Sequence, residues 1–513
     1  MFLLVARRSW AKNRPCENHS RHAGSSQTTP KLEQQTNHMS QMQDIRPSLQ
    51  LTQPNARVRL GIKKWLEIKR GQDFIELLAW ASVVAVVAMF LINGGLKEIN
   101  SLAAGLTALD RLTALVATNL LLIDILLVSR IPWLDHYYGH DKVTAAHKKL
   151  GKPILYLVLA HFVASVWQYS IAENKNLVDE FFAMITSVSD LLTGSIALVF
   201  MILVVVTSLN FARKAVTYEA WYLIHIFAYG AVLLAIPHQF SVGTDIAGKP
   251  IALTYWISLY LFVFANVVWY RIAKPVIRAM RSNLRVAKVV RESSDTASVY
   301  LTGKNVAKFG GSAGQFYMLR PLTPSQWYRP HPFSISAAPN DKFVRFTIGA
   351  RGDDTALLQN IKPGTPVLLE GPYGVFTEDR RTKEKVVLIA SGIGIPPIRA
   401  LAESMAARPG DVTIIYRVRN DQDASLLAEI TEIARRRGFA LHVLSGKRAI
   451  GTSWMNADPL GRTDQDRLML MAPAIKDSDV YVCGPVAWTR SVERSLAVAG
   501  TPAHQIHTEE YAW

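Results

Sequence analysis

The sequence predicts a multidomain protein: an all-α bundle of six transmembrane helices, followed by an antiparallel β-barrel and then an α/β nucleotide-binding domain. Half of the 513 residues are hydrophobic, and the apolar residues are concentrated between Phe74 and Tyr270. Six apolar runs in that region are long enough to cross a bilayer, which takes ~20 residues each. Beyond Leu284, a series of short strands gives way to alternating strands and helices.

The chain before the first apolar run has a different composition. Residues 1–56 are rich in Gln, Ser, Thr, Asn and His and lack apolar periodicity, which predicts a disordered tail. The apolar stretch at its start is too short for a signal peptide. The predicted domains are the tail at 1–56, a membrane domain at 57–275, a β-barrel at 281–378 and an α/β domain at 379–513.

The distribution of basic residues predicts the orientation of the spans. We place the spans at 74–93, 110–129, 150–171, 187–209, 219–240 and 252–271. Basic residues are concentrated before the first span, after the second, after the fourth and after the sixth, whereas each of the other loops carries one Lys. Positively charged loops remain in the cytoplasm. We therefore expect an integral protein of the plasma membrane with both termini in the cytoplasm.

The net charge of +17 does not indicate a nucleic-acid-binding protein. The basic residues flank apolar spans, as membrane topology requires, and neither zinc-ligand spacing nor a helix-turn-helix context accompanies them. The two cysteines, Cys16 and Cys483, lie in very different surroundings. A disulfide between them is therefore not expected, and the C-terminal half is expected to face a reducing compartment.

Four of the thirteen histidines lie in or at the ends of the spans and form two pairs. His147 and His161 are 14 residues apart at the third span, and His225 and His238 are 13 apart along the fifth. Because these spans run in the same direction, each contributes one histidine at each of two levels, ~21 Å apart. Two facing imidazoles suit the iron of a haem, so two haems are expected. The alternative is four interior histidines hydrogen-bonded within the bundle.

The helical geometry supports this arrangement in part. A step of 14 residues leaves His147 and His161 within ~40° of the same face, whereas a step of 13 turns His238 ~140° away from His225. Pro237 is the residue expected to kink the helix and re-aim His238. Asp124, which lies mid-span, is interpreted as a proton-conducting or haem-tuning group or, alternatively, as a carboxyl satisfied by a neighbouring helix.

The barrel segment contains two short motifs suited to a flavin dinucleotide. The first is HPFS, which comprises His331, Pro332, Phe333 and Ser334. Its aromatic ring suits the face of a flavin, and Ser334 is placed to hydrogen-bond the ring. In the second motif, GARGDDT, Gly349 precedes a turn and Thr355 lies at a helix start, where free N–H groups suit a pyrophosphate. The barrel is therefore predicted to bind FAD.

The α/β segment carries a candidate phosphate-binding loop after its first strand. KVVLIA is a buried strand followed by SGIGIPP, in which Gly392 and Gly394 allow close backbone approach to a phosphate and Pro397 belongs to the helix start. The next strand ends in Arg417 and Arg419, which are placed to meet an adenosine 2′-phosphate. This favours NADPH over NADH; the alternative is two solvated arginines.

The last part of the chain supplies further candidates. The strand DVYVCGP delivers Cys483, Gly484 and Pro485 to the edge at which parallel sheets bind ligands. The chain ends in EEYAW, and Trp513 or Tyr511 is expected to cover the flavin until nicotinamide displaces it; an ordinary packed tail is the alternative. The residues predicted to take part in hydride transfer are Ser334, Cys483 and Trp513.

Together, the residues from about Lys64 to Trp513 resemble the ferric reductase and NADPH oxidase superfamily. In that family the third and fifth of six spans carry the haem histidines, matched here by His147 with His225 and by His161 with His238. HPFS resembles its flavin signature, SGIGIPP its nicotinamide loop and VCGP the strand end beside the nicotinamide. The resemblance implies hydride transfer from NAD(P)H to FAD and passage of single electrons through two b-type haems.

The resemblance leaves the extracytoplasmic electron acceptor open. Ferric chelates are favoured, and oxygen reduced to superoxide is the alternative. The outer loop at about 241–251 is shorter than the cap of the large oxidases of the family, which weakens a dedicated superoxide-producing role. Two other classes remain: a flavin reductase tethered to a haem-free anchor, and a proton or metal channel with a regulatory nucleotide domain. The predicted partners are the lipid bilayer, NAD(P)H and the outer acceptor.

Overall fold

The computed structural model describes residues 54–511, except 98, 189, 310, 450 and 452. The tail predicted at 1–56 lies outside the described residues apart from 54–56, which already belong to the first helix. Cys16 and Trp513 also lie outside the described residues, as does the side chain of Tyr511.

Six helices are long and apolar enough to span a membrane, as the sequence predicts. The first five are contained in α1 (Pro54–Ile92), α2 (Leu102–Val128), α4 (His140–Glu173), α6 (Leu191–Ser208) and α8 (Tyr218–Ser241), and the sixth, Pro250–Ser282, begins with α9 (Pro250–Val267). Shorter helices between them are α3 (Pro132–Tyr138), α5 (Leu177–Ser187) and α7 (Asn210–Ala215). A π-helical segment, Val268–Ala273, joins α9 to α10 (Lys274–Ser282). The chain is therefore an integral membrane protein.

The third membrane-spanning helix, α4, begins before the apolar run that predicts it. That run predicts a span from residue 150, whereas α4 begins at His140. Lys148 and Lys149 continue the helix because lysine has good helix propensity even where hydropathy is low. His147 consequently lies within the helix, and helical periodicity applies to the whole interval between His147 and His161.

The helical bundle has an apolar exterior as well as an apolar core. Trp80 on α1 and Ile251 on α9 are 69% and 81% exposed, and exposed apolar side chains of this size are typical of a lipid-facing surface. Phe90, Leu122 and Trp256 come from α1, α2 and α9 and are almost completely buried against one another's helices. These contacts hold the three helices beside α4 and α8, which carry the histidines.

After the bundle, six strands form two antiparallel sheets. The strands are β1 (Arg285–Arg291), β2 (Thr296–Thr302), β3 (Phe316–Pro321), β4 (His331–Ser334), β5 (Val344–Gly349) and β6 (Val367–Tyr373). The sheet orders are β1-β2-β5 and β4-β3-β6. Isolated bridges from Ile335 to Phe346 and from Arg285 to Pro366 link the two sheets. Helix α11 (Asp353–Gln359) lies between β5 and β6.

The C-terminal segment is an α/β domain with a five-stranded parallel sheet. Its elements are β7 (Lys385–Ser391), α12 (Ile395–Ser404), β8 (Val412–Arg417), α13 (Leu427–Arg437), β9 (Ala440–Leu444), α14 (Asp464–Met471), β10 (Ser478–Pro485), α15 (Val486–Val498) and β11 (Ile506–Tyr511). The strand order is β11-β10-β7-β8-β9. The carboxyl ends of β7, β8 and β10 therefore meet at one edge, where parallel sheets bind ligands.

Candidate functional site

The two imidazole rings of the inner histidine pair meet edge to face. The ring centroids of His147 on α4 and His225 on α8 are 5.9 Å apart. A metal ion bound between two imidazoles, ~2 Å from each nitrogen, requires a centroid separation of roughly 6 Å. Ser208 Oγ lies 3.3 Å from His225 Nδ1 and accepts a hydrogen bond from Trp221 Nε1 at 3.1 Å. The ring of Trp221 also stacks on His225.

The outer pair of histidines lines one cavity. His161 on α4 and His238 on α8 both face a space of about 310 Å³ enclosed largely by α2, α4, α6 and α8. That volume falls in the range of small-molecule and cofactor sites. A Cβ atom on Gly194 of α6 would lie 2.9 Å from Nδ1 of His238. The glycine therefore provides the space in which this ring lies.

The two histidine pairs fit a haem better than a simple metal ion. Within the described residues, no group of three or more His, Cys, Asp or Glu side chains is arranged to hold a metal. Two imidazoles suffice for haem, because the porphyrin supplies the other four ligands to the iron. His225 and His238 both reach the α4 histidines along the continuous α8, which includes Pro237. The four residues thus have an arrangement suited to two bis-histidine sites.

The HPFS motif forms β4, which pairs with β3. Phe333 and Ser334 are buried, and Ser334 is the register partner of Phe316. Pro332 is exposed, and the ring of His331 stacks on that of Phe333 with centroids 6.3 Å apart. Burial lowers the pKa of His331, and its Nε2 is buried without a hydrogen-bond partner among the described residues. An unsatisfied buried nitrogen calls for a partner, which a bound flavin can supply.

The GARGDDT motif connects the flavin sheets to the nucleotide domain. A Cβ atom on Gly349, at the end of β5, would lie 3.1 Å from Cγ1 of Ile393 in the SGIGIPP loop. Thr355 Oγ1 accepts hydrogen bonds from the backbone N–H groups of Arg351 and Gly352, at 2.8 and 3.1 Å. The Thr355 hydroxyl therefore shapes the turn, while the Arg351 side chain is exposed beside it.

The SGIGIPP loop lies against the carboxyl end of β10. A Cβ atom on Gly394 would lie 2.1 Å from the carbonyl oxygen of Cys483, and one on Gly484 would lie 2.6 Å from the Trp488 ring. Gly394 is thus required for the close approach of two backbone segments, and Gly484 for the close packing of the Trp488 ring. Gly392 has a positive φ of 51°, and a Cβ there would meet nothing within 4 Å. The backbone at Gly392 is therefore open to a ligand.

The flanking prolines differ in exposure. Pro397 is buried in the first turn of α12, whereas Pro485 is exposed at the end of β10. Cys483 is fully buried and lies between Ala390 of β7 and Glu509 of β11 in the sheet register. Main-chain contacts thus place the SGIGIPP loop next to VCGP, which is the arrangement that the sequence leads us to expect.

The two arginines at the end of β8 have different surroundings. The guanidinium of Arg417 is buried and donates hydrogen bonds to the carbonyl oxygens of Val418, Leu444 and Gly446. Its placement favours a structural role over the predicted contact with a 2′-phosphate. Arg419 is exposed, and its carbonyl oxygen accepts the N–H of Gly446 at 3.1 Å. That bond brings Arg419 beside the exposed cations Lys447 and Arg448.

The flavin sheets lie directly against the start of α4. The His140 ring is 5.9 Å from that of Phe316 on β3 and 5.4 Å from that of Tyr373 on β6, measured between centroids. Phe316 pairs with Ser334 of the HPFS motif in the sheet, and its ring contacts His140 of α4. Phe316 therefore links the HPFS motif to α4. His147 follows His140 by seven residues, or ~10 Å of helix. The HPFS motif is thus near the inner histidine pair.

Sequence reasoning did not single out two acidic residues that the fold brings to these sites. Asp110 on α2 lies beside His161, and the signal for it was its 14-residue spacing from Asp124, equal to that of the α4 histidines. Glu509 on β11 lies opposite Cys483. Burial raises the pKa of Glu509 well above its usual range, and Asp141 and Asp135 raise it further.

Three protein families match consecutive parts of the chain. Residues 113–236 match the family described as "Ferric reductase like transmembrane component", 281–377 match "FAD-binding domain", and 388–494 match "Oxidoreductase NAD-binding domain". The first segment contains His147, His161 and His225 and ends two residues before His238, while the HPFS motif and the SGIGIPP loop fall within the second and third segments. The three matches therefore cover the central part of the helical bundle, the flavin sheets and most of the α/β domain.

Individual relatives match the chain over part of its length. Flavohemoprotein A of Dictyostelium discoideum is 25% identical over 278 residues, which are 50% of this chain and 67% of the relative. Respiratory burst oxidase homolog protein D of Arabidopsis thaliana is 25% identical over 236 residues, or 38% of this chain and 23% of the relative. The FAD/NAD-binding domain of a nitric oxide dioxygenase from Vibrio cholerae has 22% identity and a TM-score of 0.37, covering 45% of this chain and 99% of that domain.

Proposed function

The chain joins a ferric reductase-like transmembrane domain to FAD-binding and NAD-binding domains and so belongs to the ferric reductase and NADPH oxidase superfamily, and we propose that it carries electrons across the membrane. The donor is cytoplasmic NAD(P)H, and the route runs through FAD and two b-type haems. The acceptor on the outer side is a ferric chelate. Reduction of a nicotinamide-linked flavin follows from the family; the haems and the direction of transfer are the proposal.

The observation that carries the proposal is the pairing of histidines at two levels of the bundle. His147 and His225 lie 5.9 Å apart between ring centroids, and His161 and His238 line a single cavity. The two α4 histidines are separated by 14 residues, or ~21 Å of helix. A histidine network that only stabilised the bundle would not require two pairs at matched depth.

The division of labour follows from the chemistry of the groups. A nicotinamide gives up two electrons as hydride, a flavin accepts two and releases them singly, and haem iron accepts one at a time. The chain's own residues bind and align these groups. Phe333 and Ser334 form one wall of the flavin site, and Gly392 admits the dinucleotide beside the end of β10, where Cys483 lies. His140 and Phe316 provide a ring contact between α4 and the flavin sheets.

The orientation is supported by charge. Basic residues are concentrated on the side of the bundle from which the flavin sheets extend, and such residues are retained in the cytoplasm. We therefore propose that both termini are cytoplasmic and that the protein is in the plasma membrane. His161 and His238 then lie toward the outer face. Residues 242–246 line the outer cavity directly, so a short segment separates the outer histidines from the exterior.

The test is the visible absorption spectrum of the purified protein, prepared with a supply of haem, before and after anaerobic addition of NADPH. Bands of bis-histidine b-type haem that become reduced by NADPH are the expected result. Bleaching of flavin in a protein without haem bands would overturn the proposal in favour of a flavin reductase on a haem-free anchor. NADPH-independent ion flux in proteoliposomes would instead indicate the channel.

The acceptor is tested with the same preparation in sealed vesicles. Ferric citrate added on the outer side should be reduced at the same rate with and without oxygen. If superoxide dismutase abolishes the reduction of the outer acceptor, oxygen is the primary acceptor and the protein is a superoxide-producing oxidase. The two results exclude each other, because superoxide dismutase does not affect direct electron transfer to a ferric chelate.

A further inference from the structure

Helix α2 places one carboxylate beside each histidine of α4. Oδ2 of Asp124 lies 3.0 Å from Nδ1 of His147, and Oδ1 of Asp110 lies 2.7 Å from Nδ1 of His161. Asp124 is buried within the bundle. Ionisable groups at such positions are costly, and they are usually retained for function. Both carboxylates approach Nδ1 of the ring, which leaves Nε2 for another partner.

The two contacts repeat with the same spacing. Asp110 and Asp124 are 14 residues apart, as are His147 and His161. Because α2 and α4 run in opposite directions, the earlier aspartate meets the later histidine, and the later aspartate meets the earlier histidine. Each level of the bundle thus has one carboxylate. The distances are those of hydrogen bonds; His147 Nδ1 and Asp110 Oδ1 are buried without another hydrogen-bond partner among the described residues, and His161 Nδ1 also lies 3.3 Å from the backbone carbonyl oxygen of Asp110.

The outer carboxylate is itself held in place. Gln168 Nε2 donates a hydrogen bond to Oδ2 of Asp110 at 3.3 Å, and Thr107 Oγ1 donates to Oε1 of Gln168. Gln168 follows His161 by seven residues and so lies on the same face of α4. The adjacent cation, Arg111, forms its ion pair with Asp245 at 2.7 Å. Asp110 therefore directs its charge at His161 rather than at the arginine.

The histidines of α8 have different neighbours. Nδ1 of His225 lies 3.3 Å from the neutral hydroxyl of Ser208. Nδ1 of His238 is buried and has no hydrogen-bond partner within the part of the chain that the structure describes. Each histidine pair thus combines an α4 imidazole in contact with a carboxylate and an α8 imidazole whose Nδ1 has no such contact among the described residues, although the charge of Asp190 also acts on His238. This asymmetry is the same at both levels.

We propose that Asp124 and Asp110 are positioning residues that hold the Nδ1 proton of His147 and His161 and lower the reduction potentials of the inner and outer haems. The inference rests on the proposed function. A carboxylate on Nδ1 fixes the tautomer that presents the Nε2 lone pair to the iron and increases ligand basicity. Its negative charge also offsets the positive charge of a ferric haem. Both effects favour the oxidised iron, and so they favour onward transfer of the electron.

The experiment is a spectroelectrochemical titration of the purified, haem-loaded protein. Asparagine still accepts the Nδ1 proton but carries no charge, so Asp110→Asn should raise the outer midpoint potential and Asp124→Asn the inner one. We expect a shift of at least tenfold in the reduction equilibrium, equal to ~59 mV for one electron. The other haem in each variant should keep its wild-type potential. Ser208→Asp, which adds a carboxylate near His225, should lower the inner potential.

The matched control is Thr254→Val on α9. The Thr254 hydroxyl is exposed and donates a hydrogen bond to the carbonyl oxygen of Pro250 in its own helix, so both potentials should remain unchanged. Loss of only the matched haem in an Asn variant, with recovery in the corresponding Asp→Glu variant, would also support the inference. Unchanged potentials in both Asn variants, or loss of both haems from each, would overturn it. A wild-type protein without haem would overturn the proposed function instead.

Discussion

Arg130, which follows directly after the second membrane-spanning helix, forms an ion pair with Glu370 on strand β6 of the flavin sheets. The two side chains are 13% and 5% exposed. Glu370 also lies 3.2 Å from Nη2 of Arg320 on β3, and the guanidinium of Arg130 lies over the ring of Tyr373. One carboxylate thus offsets two arginine charges at the boundary between the membrane helices and the flavin sheets. The alignment of flavin and α4 depends on this boundary.

Replacing Glu370 with Gln should loosen that boundary. Removal of one partner from a buried ion pair leaves an uncompensated charge and typically costs about 3 kcal/mol of unfolding free energy. We expect E370Q to lower the thermal unfolding midpoint in detergent and to slow electron transfer from flavin to haem, while flavin reduction by NADPH continues. The measurements are flavin release on heating and stopped-flow absorbance.

Glu173→Gln is the control for this prediction. Glu173 is 58% exposed and lies 3.9 Å from Lys175, and exposed pairs contribute ~0–1 kcal/mol. Its midpoint and its transfer rate should match those of the wild type. If E370Q also behaves as the wild type, the boundary between the domains is held by other contacts.

The fold was predictable from the sequence because hydropathy and alternation are local signals. The six apolar runs predicted six helices, and the strands after Leu284 predicted the two later domains. The helix limits were less predictable, since the polar start of α4 carries no hydropathy signal. His147 therefore seemed to lie before its helix, although it lies inside it.

Some residues of the candidate sites were likewise predictable from local sequence signals, and others were not. The histidines were accessible because they repeat along single helices, whereas Asp110 depends on the pairing of α2 with α4, which hydropathy does not specify. The expectation for Arg417 failed to anticipate its surroundings, because the carbonyl oxygens that bind it belong partly to Leu444 and Gly446, almost thirty residues further along the chain. A surface arginine and a buried one look alike in sequence.

Gly194→Ala should disturb the outer histidine pair without altering any histidine. The new Cβ atom would lie 2.9 Å from Nδ1 of His238, so the ring must move. Changes of this kind around a metal ligand typically cost ~10-fold or more in affinity. We expect G194A to lose most of the outer haem, as His161→Ala and His238→Ala should, while NADPH still reduces the flavin. The measurement is the haem-to-protein ratio together with the resolved midpoint potentials.

Gly151→Ala provides the comparison. Gly151 lies on α4, and a Cβ atom there meets nothing within 4 Å. G151A should therefore retain both haems. Equal haem content in G194A and G151A would show that His238 does not occupy the position on which the outer site depends.

Asp135→Asn should remove a pH dependence of stability. Asp135 lies on α3, outside the spans, and accepts the backbone N–H of Gly374 at 3.3 Å. Burial raises its pKa to about 6, although that hydrogen bond lowers it, and Asp141 raises it further. In the unfolded chain the group titrates near ~3.9. Between these values the folded protein retains a proton that the unfolded chain has lost, so stability falls as the pH rises through this window.

The expected loss is at most about 3 kcal/mol, fully developed above pH ~6. D135N should consequently unfold at a higher temperature than the wild type at pH 8, and the difference should vanish near pH 4. Unfolding midpoints measured across this range test the prediction. Parallel curves for the two proteins would mean that Asp135 is ionised without cost in the folded state.

Arg419→Ala and Arg448→Ala should weaken the preference for NADPH. Both side chains are exposed, and the hydrogen bond from Gly446 N–H to the Arg419 carbonyl oxygen brings their segments together. A hydrogen bond to a charged group contributes ~1.5–3 kcal/mol, so losing one contact with the 2′-phosphate should raise the KM for NADPH about tenfold or more. NADH has no 2′-phosphate, and its KM should not change.

Two further variants separate this role from a structural one. Arg417→Ala removes hydrogen bonds to three carbonyl oxygens and should lower the unfolding midpoint, with no selective effect on NADPH. Arg436→Ala removes an exposed cation on α13 that pairs with Glu432, so neither KM should change. If R419A and R448A raise the KM for NADPH and the KM for NADH equally, the cations around Gly446 do not bind the 2′-phosphate. Selectivity between the two nucleotides then arises elsewhere in the α/β domain.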